Sequence, residues 1–79
     1  MLAMFQKEKL IAAIKNNPRN VSFEDLDKYL TLHGATWREG GRRSHRYYTL
    51  NGKNLSVPRN KPVKAIYVLQ AIELVERVI

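Results

Sequence analysis

The chain has 79 residues, of which 44% are hydrophobic, and a formal net charge of +7 at neutral pH. This length suits one small domain, and the hydrophobic fraction argues against intrinsic disorder. The absence of cysteine excludes disulfides and thiolate metal sites. No apolar run approaches the roughly 20 residues of a membrane span, and the early charges of Lys7 and Lys9 do not fit a signal peptide. We therefore expect a single soluble, cytoplasmic domain over residues 1–79, with no metal, cofactor or membrane partner.

The positive charge is concentrated in the middle of the chain. Residues 34–64 hold eight basic residues against one acidic residue, Glu39, which gives this segment a net charge of +7. The basic residues are Arg38, Arg42, Arg43, Arg46, Lys53, Arg59, Lys61 and Lys64. Because each bound phosphate releases counterions, such a segment attracts a nucleic acid, and an acidic protein would respond to the same field.

The first predicted element is a helix over residues 2–15, which have helix-forming composition. Leu10 and Ile14 share one side of this helix. Asn16-Asn17-Pro18 ends it, because the residue before a proline avoids helical angles. We expect residues 1–17 to dock on the domain as an additional helix, with a dimer contact or a contact to a partner protein as the alternatives.

A second helix is predicted from Ser22 to Gly34. Ser22 has the side chain of an N-cap, Asp25 follows at the spacing of a capping box, and Gly34 suits a left-handed helix end. His33 at that end is interpreted as a capping or surface residue, since a helix carboxyl terminus favours its cation. The residues expected to face the core are Phe23, Leu26 and Leu30.

Three strands follow, over residues 35–39, 44–50 and 54–57. Asn51-Gly52 between the last two strands predicts a two-residue type I′ hairpin turn. Trp37 is interpreted as a core anchor, with base stacking as the alternative. Alternation along the second strand places His45, Tyr47 and Thr49 on one face and Arg46, Tyr48 and Leu50 on the other.

Asn60 is predicted to cap a final helix, with Pro62 in its first turn. Lys61 and Lys64 would then lie at a helix amino terminus, which favours anions. The predicted core stripe of this helix is Ala65, Val68, Leu69, Ile72, Val75 and Ile79. Together the elements predict an α+β domain in which helices cover a three-stranded antiparallel sheet.

The central stretch, residues 40–48, joins two glycines, three arginines and a histidine to the start of a strand. An imidazole accepts or donates a proton near neutral pH, while neighbouring guanidinium groups bind phosphate. This combination is typical of ribonuclease chemistry. The alternative is that His45 is one more polar side chain on a solvated strand.

The chain resembles the HicA family of toxins, which cleave messenger RNA in bacterial toxin–antitoxin pairs. The resemblance covers residues 22–78 and rests on the helix ending at Gly34, the strand with Trp37, Gly41 before Ser44-His45, Asn51-Gly52, Val57-Pro58 and a helix over 62–78. Two departures stand out. Arg42 and Arg43 interrupt the Gly-Ser-His common in the family, and Arg59-Asn60 stands where relatives often have a histidine.

The resemblance implies a double-stranded-RNA-binding-domain-like order α-β-β-β-α, preceded here by the additional helix. It also implies a type II toxin acting as an mRNA endonuclease, neutralised in a hetero-oligomer with a HicB-type antitoxin. His45 would be the catalytic acid or base, and Arg46 should point away from it on the strand. The expected RNA- or phosphate-binding residues are Arg42, Arg43, Ser44, Arg46, Tyr47, Lys53, Arg59, Lys61 and Lys64.

Two other functions fit the same residues. A non-catalytic RNA-binding module would use the basic surface and leave RNA intact. A protein-interaction domain would present that surface to an acidic partner and bind RNA weakly at physiological salt.

Overall fold

The computed structural model describes residues 6–40 and 45–77, and these form three helices and three strands. The α+β prediction is confirmed. Arg42, Arg43 and Ser44, three of the predicted phosphate-binding residues, lie outside the described residues. The elements are α1 (Gln6–Asn16), α2 (Phe23–Leu32), β1 (Thr36–Glu39), β2 (His45–Leu50), β3 (Lys53–Pro58) and α3 (Ala65–Arg77).

The three strands form one antiparallel sheet in the order β1-β2-β3. Asn51 and Gly52 have φ angles of 52° and 84°, and the flanking Leu50 and Lys53 are register partners. Positive φ at both central residues of a two-residue loop is the type I′ geometry. The predicted hairpin turn is therefore confirmed.

The sheet has one covered and one open face. Residues that are register partners in an antiparallel sheet share a face. On the covered face, Tyr48, Leu50, Leu55 and Val57 join the buried core with residues of all three helices. The open sheet face holds the half-buried Pro58 and seven exposed residues: Thr36, Arg38, His45, Tyr47, Thr49, Asn54 and Ser56.

Helix α2 begins and ends as its sequence predicts. The Ser22 hydroxyl accepts a hydrogen bond of 3.1 Å from the Asp25 amide, and Gly34 has a φ of 99°. His33 is the C-cap residue, and its Nδ1 lies 2.8 Å from the carbonyl oxygen of Tyr29. Leu26 and Leu30 are buried as predicted and Phe23 is partly buried, while Tyr29 is a core residue that the spacing argument did not include.

Helix α1 docks on the rest of the domain. Ile14 is fully buried in the core, and Leu10 packs against the core more peripherally. An ion pair between Lys15 and Glu76 joins the end of α1 to α3. Docking, the preferred prediction for this helix, is confirmed.

The start of the last helix differs from its prediction. Helix α3 begins at Ala65, so Asn60 does not cap it and Lys61 lies outside its first turn. Val63 explains the difference: its side chain is buried and its amide donates to the Val21 carbonyl at 3.0 Å, which holds residues 61–64 away from a helical path.

The buried side of α3 is shifted from the predicted stripe, of which Ile79 lies outside the described residues. Val68, Ala71 and Val75 are buried, whereas Leu69 is 53% exposed. Successive residues of a helix are rotated by about 100° around its axis. Because apolar residues flank the predicted stripe on both sides, their spacing does not determine which side of α3 faces the core. Within the described residues, no helix has the length and apolarity needed to cross a membrane.

Candidate functional site

His45 lies at the first position of β2, exposed on the open sheet face. Its register partner on β3 is Pro58, and its carbonyl accepts a 3.0 Å hydrogen bond from the Gly40 amide. That hydrogen bond brings the end of β1 next to the start of β2. Arg42 and Arg43 belong to the connection between them and precede His45 by three and two positions in the sequence.

Tyr47 lies two residues beyond His45 on the same face, as alternation predicts. Its register partner Arg38 places its guanidinium carbon 5.2 Å from the centre of the tyrosine ring, within the range of a cation–π contact. Gly40, directly after β1, also lies close to this ring, because a Cβ added to it would be only 2.8 Å from Cε2 of Tyr47. Gly40 therefore provides the space that the ring occupies.

The remainder of the open sheet face is polar. Thr36, Thr49 and Asn54 lie across the sheet from one another, and the Thr49 hydroxyl donates to Oδ1 of Asn54 at 3.0 Å. Ser56 lies beside Tyr47. The face thus offers an aromatic ring, an imidazole, a guanidinium and several hydroxyl and amide groups without a large apolar patch.

Arg46 lies on the opposite, covered face, as predicted. Its Nη1 donates to Asp27 Oδ1 at 2.9 Å, its Nη2 donates to Glu39 Oε2 at 3.0 Å, and its side chain is only 13% exposed. The guanidinium carbon lies 3.5 Å from the centre of the Trp37 ring and 5.2 Å from that of Phe23. Arg46 therefore connects α2 to β1 through two carboxylates and two aromatic rings.

Arg59 completes this ion-pair cluster, which we define as Asp27, Glu39, Arg46 and Arg59, and the Tyr48 hydroxyl contacts it. Arg59 pairs with Glu39, and the Tyr48 hydroxyl donates to Asp27 Oδ1 at 2.6 Å. Burial and the hydrogen bond to Asp27 raise the pKa of Tyr48. Burial alone would lower the pKa of Arg46, but its hydrogen bonds to Glu39 and Asp27 raise it, so the guanidinium remains charged.

The cluster changes the interpretation of three predicted residues. The guanidinium groups of Arg46 and Arg59 have carboxylate partners within the protein, and a phosphate-binding role for them stays a prediction. Trp37 is 44% exposed, so the core-anchor prediction is wrong. The reason is that β1 is an edge strand, where the indole packs on Arg46 and not beneath a helix.

The predicted lysines lie away from His45 or beyond the sheet. Lys53 is at the opposite end of β2 and β3, roughly 17 Å from His45 along five residues of strand. Lys61 and Lys64 are exposed in the segment that leads into α3. None of these lysines forms an ion pair with a described residue, so their charge is available to a polyanion.

Sequence reasoning did not include Arg38 and Gly40 among the site residues. Alternation along β1 separates Arg38 from Trp37, but only the register with β2 places it beside Tyr47. For Gly40, the structure shows a close approach to the Tyr47 ring, which the sequence alone does not reveal. The described residues include no group of three or more potential metal ligands.

The chain matches no protein-family model, no curated protein and no solved structure at a significant level. The resemblance to HicA toxins therefore stays an expectation based on the motifs quoted above.

Proposed function

We propose that this protein is an endoribonuclease that binds RNA on the open sheet face and cleaves it with His45 as the proton-transfer group. The observation that carries the proposal is the row formed by His45, Tyr47 and Arg38 on an exposed polar sheet face. Such a face combines base stacking with contacts to phosphate and to the ribose hydroxyl, as proteins that bind single-stranded RNA do.

The charge of the surface supports a polyanionic substrate. Of the eight basic residues between positions 34 and 64, Arg46 and Arg59 are neutralised by Asp27 and Glu39. Glu39 is the only acidic residue of this segment, so the remaining six basic residues, Arg38 among them, keep a net positive charge there. Counterion release from bound phosphates would make RNA binding strongly dependent on salt.

In the proposed reaction the ribose 2′-oxygen attacks the adjacent phosphorus while the bond from phosphorus to the 5′-oxygen breaks. His45 takes the proton of the 2′-hydroxyl or gives one to the departing 5′-oxygen. Arg42 and Arg43 bind the phosphate and stabilise the added negative charge. The products are a 2′,3′-cyclic phosphate and a 5′-hydroxyl end.

The biological context of the proposal follows from the resemblance to HicA proteins. The element order from α2 to α3 agrees with the double-stranded-RNA-binding-domain-like layout of that family. We accordingly propose that the substrate is messenger RNA, that cleavage arrests growth and that a HicB-type antitoxin neutralises the protein in a hetero-oligomer.

A non-catalytic RNA-binding module is the second candidate, and one observation favours it. Pro58 is the register partner of His45, so Arg59 and Asn60 follow at the end of the sheet where His45 lies. Neither side chain is an imidazole or a carboxyl group, the usual partners in proton transfer. Phosphodiester cleavage needs two proton transfers, and at this position the chain supplies no second imidazole to share them.

The test is cleavage of a labelled single-stranded RNA by the purified protein, its His45→Ala variant and a matched variant of the other histidine. His33→Asn is the control, because it removes the second imidazole and keeps a residue that suits a helix end. We expect wild type and His33→Asn to leave cyclic-phosphate ends, and His45→Ala to lose about 100-fold or more in rate while still binding RNA.

Binding and toxicity are tested separately. Arg38→Ala should weaken RNA binding without lowering the melting temperature, since Arg38 forms no ion pair with a described residue. Induced expression in a bacterial host should arrest growth for wild type and not for His45→Ala. RNA binding without cleavage by any variant would establish the second candidate, and absence of both would refute the proposed function.

A further inference from the structure

A groove of about 480 Å³ lies between α1 and α2. Its volume is within the range of protein binding pockets. Helix α2 packs on the covered face of the sheet, where Asp27 accepts from Arg46 and Tyr48, so the groove lies on the helical side of the molecule and not on the open sheet face. The residues that line it are Leu10, Ala13 and Leu32 on its floor and Lys7, Lys9 and Lys28 on its rim, with Asp25 beside them.

The floor of the groove is apolar and accessible. Leu32, in the last turn of α2, is 39% exposed, and Ala13 on α1 is exposed. Leu10 packs against the core and presents its remaining surface to the groove. Burial of this surface against apolar side chains is favourable, whereas a phosphate backbone gains nothing from it.

The rim of the groove is positively charged. Within the part of the chain that the structure describes, Lys7, Lys9 and Lys28 form no ion pair, in contrast to Lys15 on the same helix, which pairs with Glu76. Three lysines against the single carboxylate of the lining leave the groove with a net positive charge. The complementary ligand carries carboxylates around an apolar centre.

We propose that the groove between α1 and α2 binds an acidic amphipathic helix of a partner protein. Apolar side chains one turn apart would contact Leu10, Ala13 and Leu32, and flanking Asp or Glu side chains would pair with the three lysines. Because the groove and the open sheet face lie on different sides of the domain, the protein can bind this partner and an RNA strand at the same time. The inference does not depend on the proposed catalytic activity.

The experiment measures binding of a synthetic helical peptide of about five turns, roughly 18 residues, with Leu at helical spacing and Glu on its flanks. A second peptide carries Gln in place of each Glu. Fluorescence anisotropy with the full chain should show binding of the Glu peptide that weakens with salt, and the Gln peptide should bind about 3- to 100-fold more weakly. Lys28→Glu should weaken the Glu peptide about 5- to 10-fold.

Leu69→Glu is the matched control, since Leu69 is exposed on α3 and does not line the groove. It should leave peptide binding unchanged, whereas Leu32→Glu should weaken binding at least about tenfold. Because the chain has no cysteine, Leu32→Cys also provides a single thiol whose maleimide labelling the Glu peptide should slow. Maleimide labelling thus tests the groove without placing a charged side chain at position 32, near the core.

Five results would overturn the proposal. Equal binding of the two peptides, or equal loss in Leu69→Glu and Leu32→Glu, would show that the groove does not select an acidic helix. A loss of RNA binding in Lys28→Glu would assign the rim to RNA, and self-association abolished by Leu32→Glu would assign the floor to a second copy. Peptide binding that appears only after residues 1–5 are removed would assign the groove to that segment.

Discussion

Asp27→Asn is the substitution that tests most directly how α2 is fixed to the sheet. Asp27 Oδ1 accepts from both Arg46 and Tyr48, at 2.9 and 2.6 Å. Asparagine keeps the shape of the side chain and one acceptor oxygen but removes the charge. Arg46 would then retain Glu39 as its only carboxylate partner among the described residues, at a site where its side chain is 13% exposed.

The expected loss is about 2–3 kcal/mol in the free energy of unfolding. A hydrogen bond to a charged group contributes about 1.5–3 kcal/mol, and a weakly solvated guanidinium adds a cost when its partner is removed. The Asp27 side chain is 26% exposed, so solvent moderates the loss below the full value for a buried pair. For a domain of this length the total stability is about 4–12 kcal/mol, and the substitution removes a large part of it.

Thermal and urea denaturation followed by circular dichroism measure this loss. At about 4–8 °C per kcal/mol, the melting temperature should fall by roughly 10–20 °C. Glu24→Gln is the matched control, because Glu24 is an exposed carboxylate in the first turn of the same helix and forms no ion pair with a described residue. Equal losses for the two variants would refute a structural role for the ion-pair cluster.

Three other predictions concern stability and the open sheet face. Burial raises the pKa of Tyr48, so as pH rises the Tyr48 hydroxyl loses its proton in the unfolded chain before it does in the folded one. The free energy of unfolding should therefore fall above about pH 10, by up to about 1.4 kcal/mol per pH unit. In urea denaturation across that range, the free energy of unfolding of Tyr48→Phe should depend less on pH. Ile14→Ala should cost about 2–5 kcal/mol by thermal unfolding and Ile66→Ala, at an exposed position, less than about 0.5 kcal/mol. Gly40→Ala should displace the Tyr47 ring and weaken RNA binding about threefold or more in an anisotropy titration. The melting temperature should fall only slightly, because the added Cβ also lies 3.3 Å from the His45 carbonyl oxygen.

Local signals in the sequence were sufficient for most of the fold. The Ser22 cap, the left-handed Gly34 and the Asn51-Gly52 turn each depend on the conformation of a few adjacent residues, and all three occur as predicted. Alternation along β2 also separated His45 from Arg46 correctly. Such features follow from backbone geometry, which neighbouring residues determine.

The errors arise where distant residues decide. Val63 is buried through a contact to Val21, a residue more than forty positions earlier, and that contact delays the start of α3 to Ala65. Trp37 is exposed because β1 is an edge strand and because Arg46 supplies a stacking partner. Neither the position of a strand in the sheet nor a contact with another element can be predicted from local periodicity.

Adjacent basic residues of strand β2 have different roles, because they lie on opposite faces of the sheet. His45 and Tyr47 are exposed on the open sheet face, while Arg46 between them holds Asp27 and Glu39 on the other side. Loss of activity on removing Arg46 would therefore follow from loss of folding and would reveal nothing about phosphate binding. Because side chains alternate along β2, one face of the strand fixes the sheet to α2 and the other face is open to a ligand.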